Sequence, residues 1–294
     1  MIFFCAENNN IMILMIFFLT LTPLTGLGTF NCCIVMFNRL LRFLEKQIHH
    51  LIFYSFTEGY KMKIADIQAR LNKMGIDAGP VDGFYGKKTI KAVKVFQKNN
   101  DLHIDGIPGP KTLSKMFPEN SGVQPENVVP VDLVWLIEAI RLFGVTETPG
   151  VGSNVKILEW AEDLNLPYSG DEVPWCGLFI AHCINTTLPD EPLPSNPLKA
   201  RNWLNFGVKT QPTLGAIMVF SREGAGGNKG HVGLYMGENT ESYRIIGGNQ
   251  SDKVCFANIS KIRLLGSFWP SVLALPQQSI KPIVVGGTLS WNEL

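Results

Sequence analysis

The spacing of apolar residues predicts four amphipathic helices, followed by a strand-rich segment. The four apolar faces are Ile64, Ile67, Leu71 and Met74; Thr89, Ala92, Val93 and Phe96; Leu133, Leu136, Ile137 and Ile140; and Ile157, Trp160, Ala161 and Leu164. Beyond residue 215 the apolar runs 215–220, 230–236 and 243–246 are typical of strands, and the turn at 238–242 predicts a hairpin. We therefore expect an α+β fold with an antiparallel sheet.

Composition and charge divide the 294-residue chain into modules. Residues 62–118 hold ten Lys and Arg against five acids, whereas residues 119–294 hold twelve against seventeen. Residues 119–130 are rich in Pro, Gly and small polar groups, which predicts a linker before a domain at 131–270, and 271–294 is interpreted as a tail. Collagenous, coiled-coil and wholly disordered classes are excluded, and the basic density is too low for a nucleic-acid-binding arm.

The first 61 residues have a different character. No charged residue occurs from Ile11 to Phe37, and Arg39, Arg42 and Lys46 follow this stretch, as expected of a membrane anchor with its C-terminal side in the cytoplasm. The alternative is that translation starts at Met62, where the helical pattern begins. Contact with a membrane is expected only if residues 1–61 are made.

A motif recurs within the basic segment. Asp82-Gly83-Phe84-Tyr85-Gly86-Lys87-Lys88-Thr89 returns as 105–112, with Asp, Gly, Gly and Thr each displaced by 23 positions, and Ala92-Val93-Lys94-Val95-Phe96-Gln97 follows the first copy. The segment 62–118 resembles the peptidoglycan-binding module of bacterial and phage wall hydrolases, which implies a three-helix bundle and peptidoglycan as the partner. The motif residues are expected to determine the fold rather than to touch ligand. The basic face of Lys87, Lys88, Lys91, Lys94 and Lys98 is either a solvated surface or a contact for wall anions.

The candidate chemistry lies in the second domain. The sequence around Pro174-Trp175-Cys176 predicts a loop that enters a helix near Cys176, where aligned backbone N–H groups favour a thiolate. His231 opens the strand 230–236 and is the preferred base, the alternative being a structural histidine at a strand end. His182 lies about 240° around the helix from Cys176 at 100° per residue and is expected to pack or face solvent.

The hairpin register predicts the third residue. If the turn centres on Thr240, His231 pairs with Asn249, whose amide oxygen would hold the imidazole ring. Gln250 would then point to the opposite face and ranks lower. Residues 247–250 are alternatively an ordinary turn. Cys176, His231 and Asn249 therefore form the predicted catalytic set.

In combination these motifs resemble the CHAP and NlpC-like cysteine wall hydrolases. The resemblance rests on Pro174-Trp175-Cys176, on 215–220, on Gly230-His231-Val232-Gly233 and on 247–250. It implies a papain-like α+β domain that cleaves an amide bond of peptidoglycan through an acyl-enzyme, with the Cys176 N–H in an oxyanion hole. Many relatives have Asp where this chain has Ala216.

Several further expectations follow. No cofactor or metal is expected, because the chain lacks C-x-x-C and H-x-x-x-H pairs, and Cys183 and Cys255 are interpreted as small buried apolar residues. An endolysin-like hydrolase would stay in the cytoplasm until release to the wall, and the alternative is a membrane-anchored protein. The alternative function is a wall-binding protein that retains the hydrolase fold without activity.

Overall fold

The computed structural model describes residues 64–118, 132–150, 152–222 and 227–277, with the single residues 279, 282 and 289. The apolar leader 1–61 and the predicted linker 119–130 lie outside the described residues. The described residues belong to one compact unit that spans Tyr54–Leu294. None of the helices in the described ranges combines the length and the apolar character that crossing a bilayer requires.

Three helices form the N-terminal module. They are α1 over residues 64–73, α2 at Lys87–Asn99 and α3 at Pro110–Met116. The predicted apolar faces of α1 and α2 are buried, except that Met74 is 41% exposed because it follows the end of α1. Gly75, at φ 77°, allows the chain to turn there. The three helices confirm the predicted helical module.

Two buried glutamines explain the repeated motif. The Gln68 side-chain amide donates to Asp82 Oδ1, Phe84 O and Thr89 Oγ1, and its oxygen accepts from the Gly83 N–H. Gln97 does the same in the second copy, where its partners are Asp105 Oδ1, Ile107 O, Thr112 Oγ1 and the Gly106 N–H. Each glutamine thus ties the preceding helix to a turn, so the motif residues act in folding.

Three more helices precede the sheet. They are α4 at Val134–Arg141, α5 at Val155–Asp163 and α6 at Cys176–Thr187. The Asn154 side chain caps α5 by accepting from the Lys156 N–H. Ten of the twelve residues of α6 are buried, so this helix forms the centre of the domain rather than a surface layer.

Six strands form one antiparallel sheet in the order β1-β6-β2-β3-β4-β5. The strands are β1 Val208–Lys209, β2 Ile217–Ser221, β3 Gly230–Glu238, β4 Ser242–Gly247, β5 Cys255–Ser260 and β6 Leu264–Trp269. Short 3-10 helices occupy Ala200–Asn205 and Lys261–Arg263. The central strands are nearly all buried, as expected of strands covered on both faces. The α+β class with an antiparallel sheet is confirmed.

Polar contacts join the helical module to the larger domain. Lys94 Nζ lies 2.6 Å from Asp190 Oδ2, and the Arg141 guanidinium lies 4.9 Å from the centre of the Phe84 ring. Arg141 also bonds to both carboxylate oxygens of Glu138, each at 2.7 Å. Burial raises the pKa of Glu138, but hydrogen bonds from Arg141 and His182 outweigh it and hold that pKa below its usual value. Glu138 is thus charged at neutral pH and fixes Arg141 against the module.

The first residues of the predicted tail bond to the domain. The Glu191 carboxylate accepts from the Ser271 hydroxyl and the Val272 N–H, and Trp269 Nε1 donates to Ala274 O. Sequence periodicity ends near residue 270, yet backbone and hydroxyl groups continue to be paired beyond it. Lack of an apolar pattern therefore does not separate these residues from the folded body.

The glutamine network predicts a specific loss of stability. Gln97→Leu leaves the Gly106 N–H, the Asp105 carboxylate and the Thr112 hydroxyl without this amide, so the free energy of unfolding should fall by about 2–3 kcal/mol. Denaturant unfolding measures the change. Lys98→Leu, at the exposed neighbouring position of α2, is the control and should change stability little. Equal losses in the two variants would contradict a stabilising role for the amide.

Candidate active site

Cys176 is the first residue of α6. Trp175 precedes the helix and is fully buried; its Nε1 donates to Glu147 Oε1 at 2.7 Å, which anchors the chain entering the helix. A side chain at Gly177 would place Cβ 2.1 Å from the backbone oxygen of Pro197, so only glycine allows that loop to cross the first turn. The thiol is thereby held at a helix N-terminus, as predicted.

His231 lies at the start of β3, beside the place where the β3–β4 ladder ends. On one side His231 pairs with Phe220 of β2. On the other side, the pair of β3 and β4 residues nearest to His231 is Leu234 with Ile246. The backbone of Val232 is one of the groups that lower the pKa of the Cys176 thiol, so it lies near the sulfur. Strand β3 therefore brings the thiol next to the residue that follows the histidine.

The ring of His231 is held by Gln250. Nε2 of this buried histidine lies 3.0 Å from Gln250 Oε1. The sequence assigned this position to Asn249 and ranked Gln250 lower, whereas the contact described here is made by Gln250; the role of Asn249 stays a prediction. Strand β4 ends at Gly247, and Asn249 has φ 54°, so the alternation of a strand no longer decides which side chain faces the ring.

Space for this pair comes from Gly247. A Cβ there would lie 3.0 Å from Gln250 Oε1 and 3.2 Å from His231 Nε2. The Gln250 amide also donates to the backbone oxygen of Cys255, and Cys255 Sγ lies 3.2 Å from the Gln250 carbonyl oxygen. Cys255 is partly exposed, whereas the sequence predicted a buried residue. Its backbone oxygen supports Gln250, a role that the sequence did not indicate.

The thiol differs from expectation in its ionisation. Burial raises the pKa of Cys176, although hydrogen bonds from the Val232 and Gly177 backbone and the charge of Arg222 act in the opposite direction. The sequence led us to expect a thiolate favoured by the helix N-terminus. The side chain is only 5% exposed, and loss of solvation outweighs the favourable amide groups. The resting thiol is therefore protonated at neutral pH.

Opposite charges flank the site. Arg222 follows β2 and acts electrostatically on the thiol. On the Trp175 side, a cleft of about 540 Å³ is lined by four acids among its residues: Glu147, Asp171, Glu172 and Asp252. Burial and the neighbouring carboxylates raise the pKa of Glu147.

His182 takes a structural position. Its Nε2 lies 3.2 Å from Glu138 Oε1, and its ring stacks on Trp160 at 5.0 Å between centroids. It packs in the core, as its helical angle from Cys176 predicted. Cys183 is fully buried, in accord with an apolar role. Within the described ranges, no group of three or more His, Cys, Asp or Glu is arranged to hold a metal ion.

The comparisons with known proteins bear on the N-terminal module. Residues 63–116 match the family model described as "Putative peptidoglycan binding domain". A curated relative, the N-acetylmuramoyl-L-alanine amidase CwlM of Mycobacterium tuberculosis (strain ATCC 25618 / H37Rv), is 40% identical over 58 residues. The match covers 20% of this chain and 14% of that relative. No solved structure matches the chain significantly. Residues 63–116 are thus a peptidoglycan-binding domain.

Proposed function

We propose that the chain is a peptidoglycan hydrolase of the endolysin-like, CHAP or NlpC-like kind, which cleaves an amide bond of the wall with Cys176 as nucleophile. The observation that carries this proposal is that the backbone of Val232, the residue after His231, is among the groups that lower the pKa of the Cys176 thiol against the effect of burial. The Gln250 amide fixes the ring from the other side. A thiol, an imidazole and an orienting amide are the groups that nucleophilic acyl transfer needs.

The protonated thiol defines the first step. Because Nε2 bonds to Gln250, we assign proton transfer to Nδ1, which takes the thiol proton as sulfur attacks the amide carbon. The Cys176 N–H at the helix N-terminus stabilises the oxyanion. The imidazolium then gives its proton to the leaving amine, leaving a thioester. Water, deprotonated by His231, hydrolyses the thioester and restores the thiol.

The peptidoglycan-binding domain supplies the substrate class. Binding to the polymer raises the local concentration of wall amides around the second domain. The relative's name describes an amidase of N-acetylmuramoyl-L-alanine, which is a bond of the same chemical class. We therefore propose an amide of the wall as the scissile bond, rather than a peptide bond of a soluble protein.

One set of observations favours a second function. Cys176 is 5% exposed and burial raises its pKa, as in a domain kept only as a scaffold for a wall-binding protein. Such a protein would bind peptidoglycan through residues 63–116 and release no product. The assays below separate the two functions.

Loss of the nucleophile or the base should abolish hydrolysis. We expect Cys176→Ala and His231→Ala to lower release of wall fragments by more than about a thousandfold, as for catalytic groups that act as one unit. Cys183→Ala removes a buried thiol of the same helix and is the matched control, which should remain active. Muropeptide mass spectrometry measures the products. Full activity of Cys176→Ala would refute the nucleophile, and wall binding without wild-type products would support the scaffold function.

The orienting residue can be identified by paired variants. Gln250→Ala should lower kcat/KM by about 10- to 100-fold, as is typical for a group that orients a functional histidine. Removing this acceptor also destabilises the imidazolium, so the acidic limb of the pH profile should move to lower pH. Asn249→Gly removes the neighbouring amide without strain at positive φ and should have a smaller effect. If Asn249→Gly lowered kcat/KM more than Gln250→Ala, Asn249 would be the residue that orients His231.

Thiol titration tests the general-base step. Alkylation of Cys176 by iodoacetamide should rise with pH to a midpoint above that of the same cysteine in urea, because burial raises the folded-state pKa. Mass spectrometry of the Cys176 peptide measures the modified fraction. A midpoint below that in urea would indicate a preformed thiolate–imidazolium pair and contradict proton transfer during attack.

A further inference from the structure

We infer that Arg222 forms a subsite that binds a free carboxylate of the wall peptide beside Cys176. The inference rests on the proposed function. It adds that the substrate presents a negatively charged group on this side of the thiol. Wall peptides carry carboxylates along the chain and at its end, so the group is present in the polymer.

Strand register places Arg222 at the candidate site. Ser221, the last residue of β2, pairs with Gly230, and Phe220 pairs with His231. Arg222 follows immediately, so its backbone lies at the sheet end where His231 begins. Its charge lowers the pKa of Cys176, so the guanidinium acts electrostatically on the thiol.

Arg222 differs from the other partly buried cations of the domain. Arg141 bonds to Glu138, and Arg263 Nε donates to Ser221 O. Within the described part of the chain, Arg222 makes neither an ion pair nor a hydrogen bond, although its side chain is half-buried. A guanidinium in this state has lost part of its hydration without compensation, and a bound carboxylate would replace that hydration with two parallel hydrogen bonds.

The acidic cleft explains why a carboxylate would bind on one side only. The carboxylates of Glu147, Glu172 and Asp252 line the cleft on the Trp175 side, where they would repel an anion. The same anion is attracted by Arg222. A peptide crossing the thiol is therefore oriented with its carboxylate toward the β2–β3 end.

The subsite can be tested without hydrolysis, by comparing two reagents that alkylate Cys176. Iodoacetate carries a carboxylate and iodoacetamide is neutral, so the ratio of their rates reports on positive charge at the thiol and cancels any change in the thiolate fraction. Arg222→Gln should lower the iodoacetate to iodoacetamide ratio by about fivefold at low ionic strength, and less at high salt. Lys209→Gln, at an exposed cation of edge strand β1, should leave the ratio unchanged.

Wall fragments with free or amidated carboxylates extend the test to substrate. The wild type should have a lower KM for the fragment with the free carboxylate than for the amidated one. Arg222→Gln should lose this difference, and Arg222→Lys should retain part of it. An unchanged alkylation ratio in Arg222→Gln would overturn the subsite even if the protein hydrolyses walls. A lowered ratio in a protein that releases no fragments would support the subsite and refute the hydrolase proposal instead.

Discussion

The antiparallel ladder between β3 and β4 ends at the pair of Leu234 and Ile246, and the candidate site is built where it ends. Beyond that pair, the Val232 backbone acts on the Cys176 thiol and lowers its pKa. The chain leaving β4 passes Gly247, which lacks the side chain that would crowd Gln250 and His231. A longer ladder would direct the Val232 backbone to a neighbouring strand.

Burial is the second constraint on the site. It removes water from Cys176 and raises the pKa of the thiol, which outweighs the favourable helix end. The same low exposure strengthens each electrostatic interaction, which gives Arg222 influence over the sulfur.

The two parts of the chain use buried polar groups in different ways. In the peptidoglycan-binding domain, Gln68 and Gln97 satisfy the turns of a repeated motif and stabilise three short helices. In the larger domain, Gln250 bonds to a histidine and to the backbone near Cys255. The first arrangement stabilises the fold, and the second positions the imidazole of His231.

The sequence by itself determined the four amphipathic helices, the strands β2, β3 and β4, the peptidoglycan-binding domain and the placement of Cys176 at a helix start. These features follow from local spacing, because helical and strand periods are properties of neighbouring residues. It favoured Asn249 over Gln250, but the positive φ at Asn249 breaks the alternation on which that register argument depends. The raised pKa of Cys176 and the position of Arg222 were likewise decided by tertiary structure, because solvation and charge depend on groups distant in the chain.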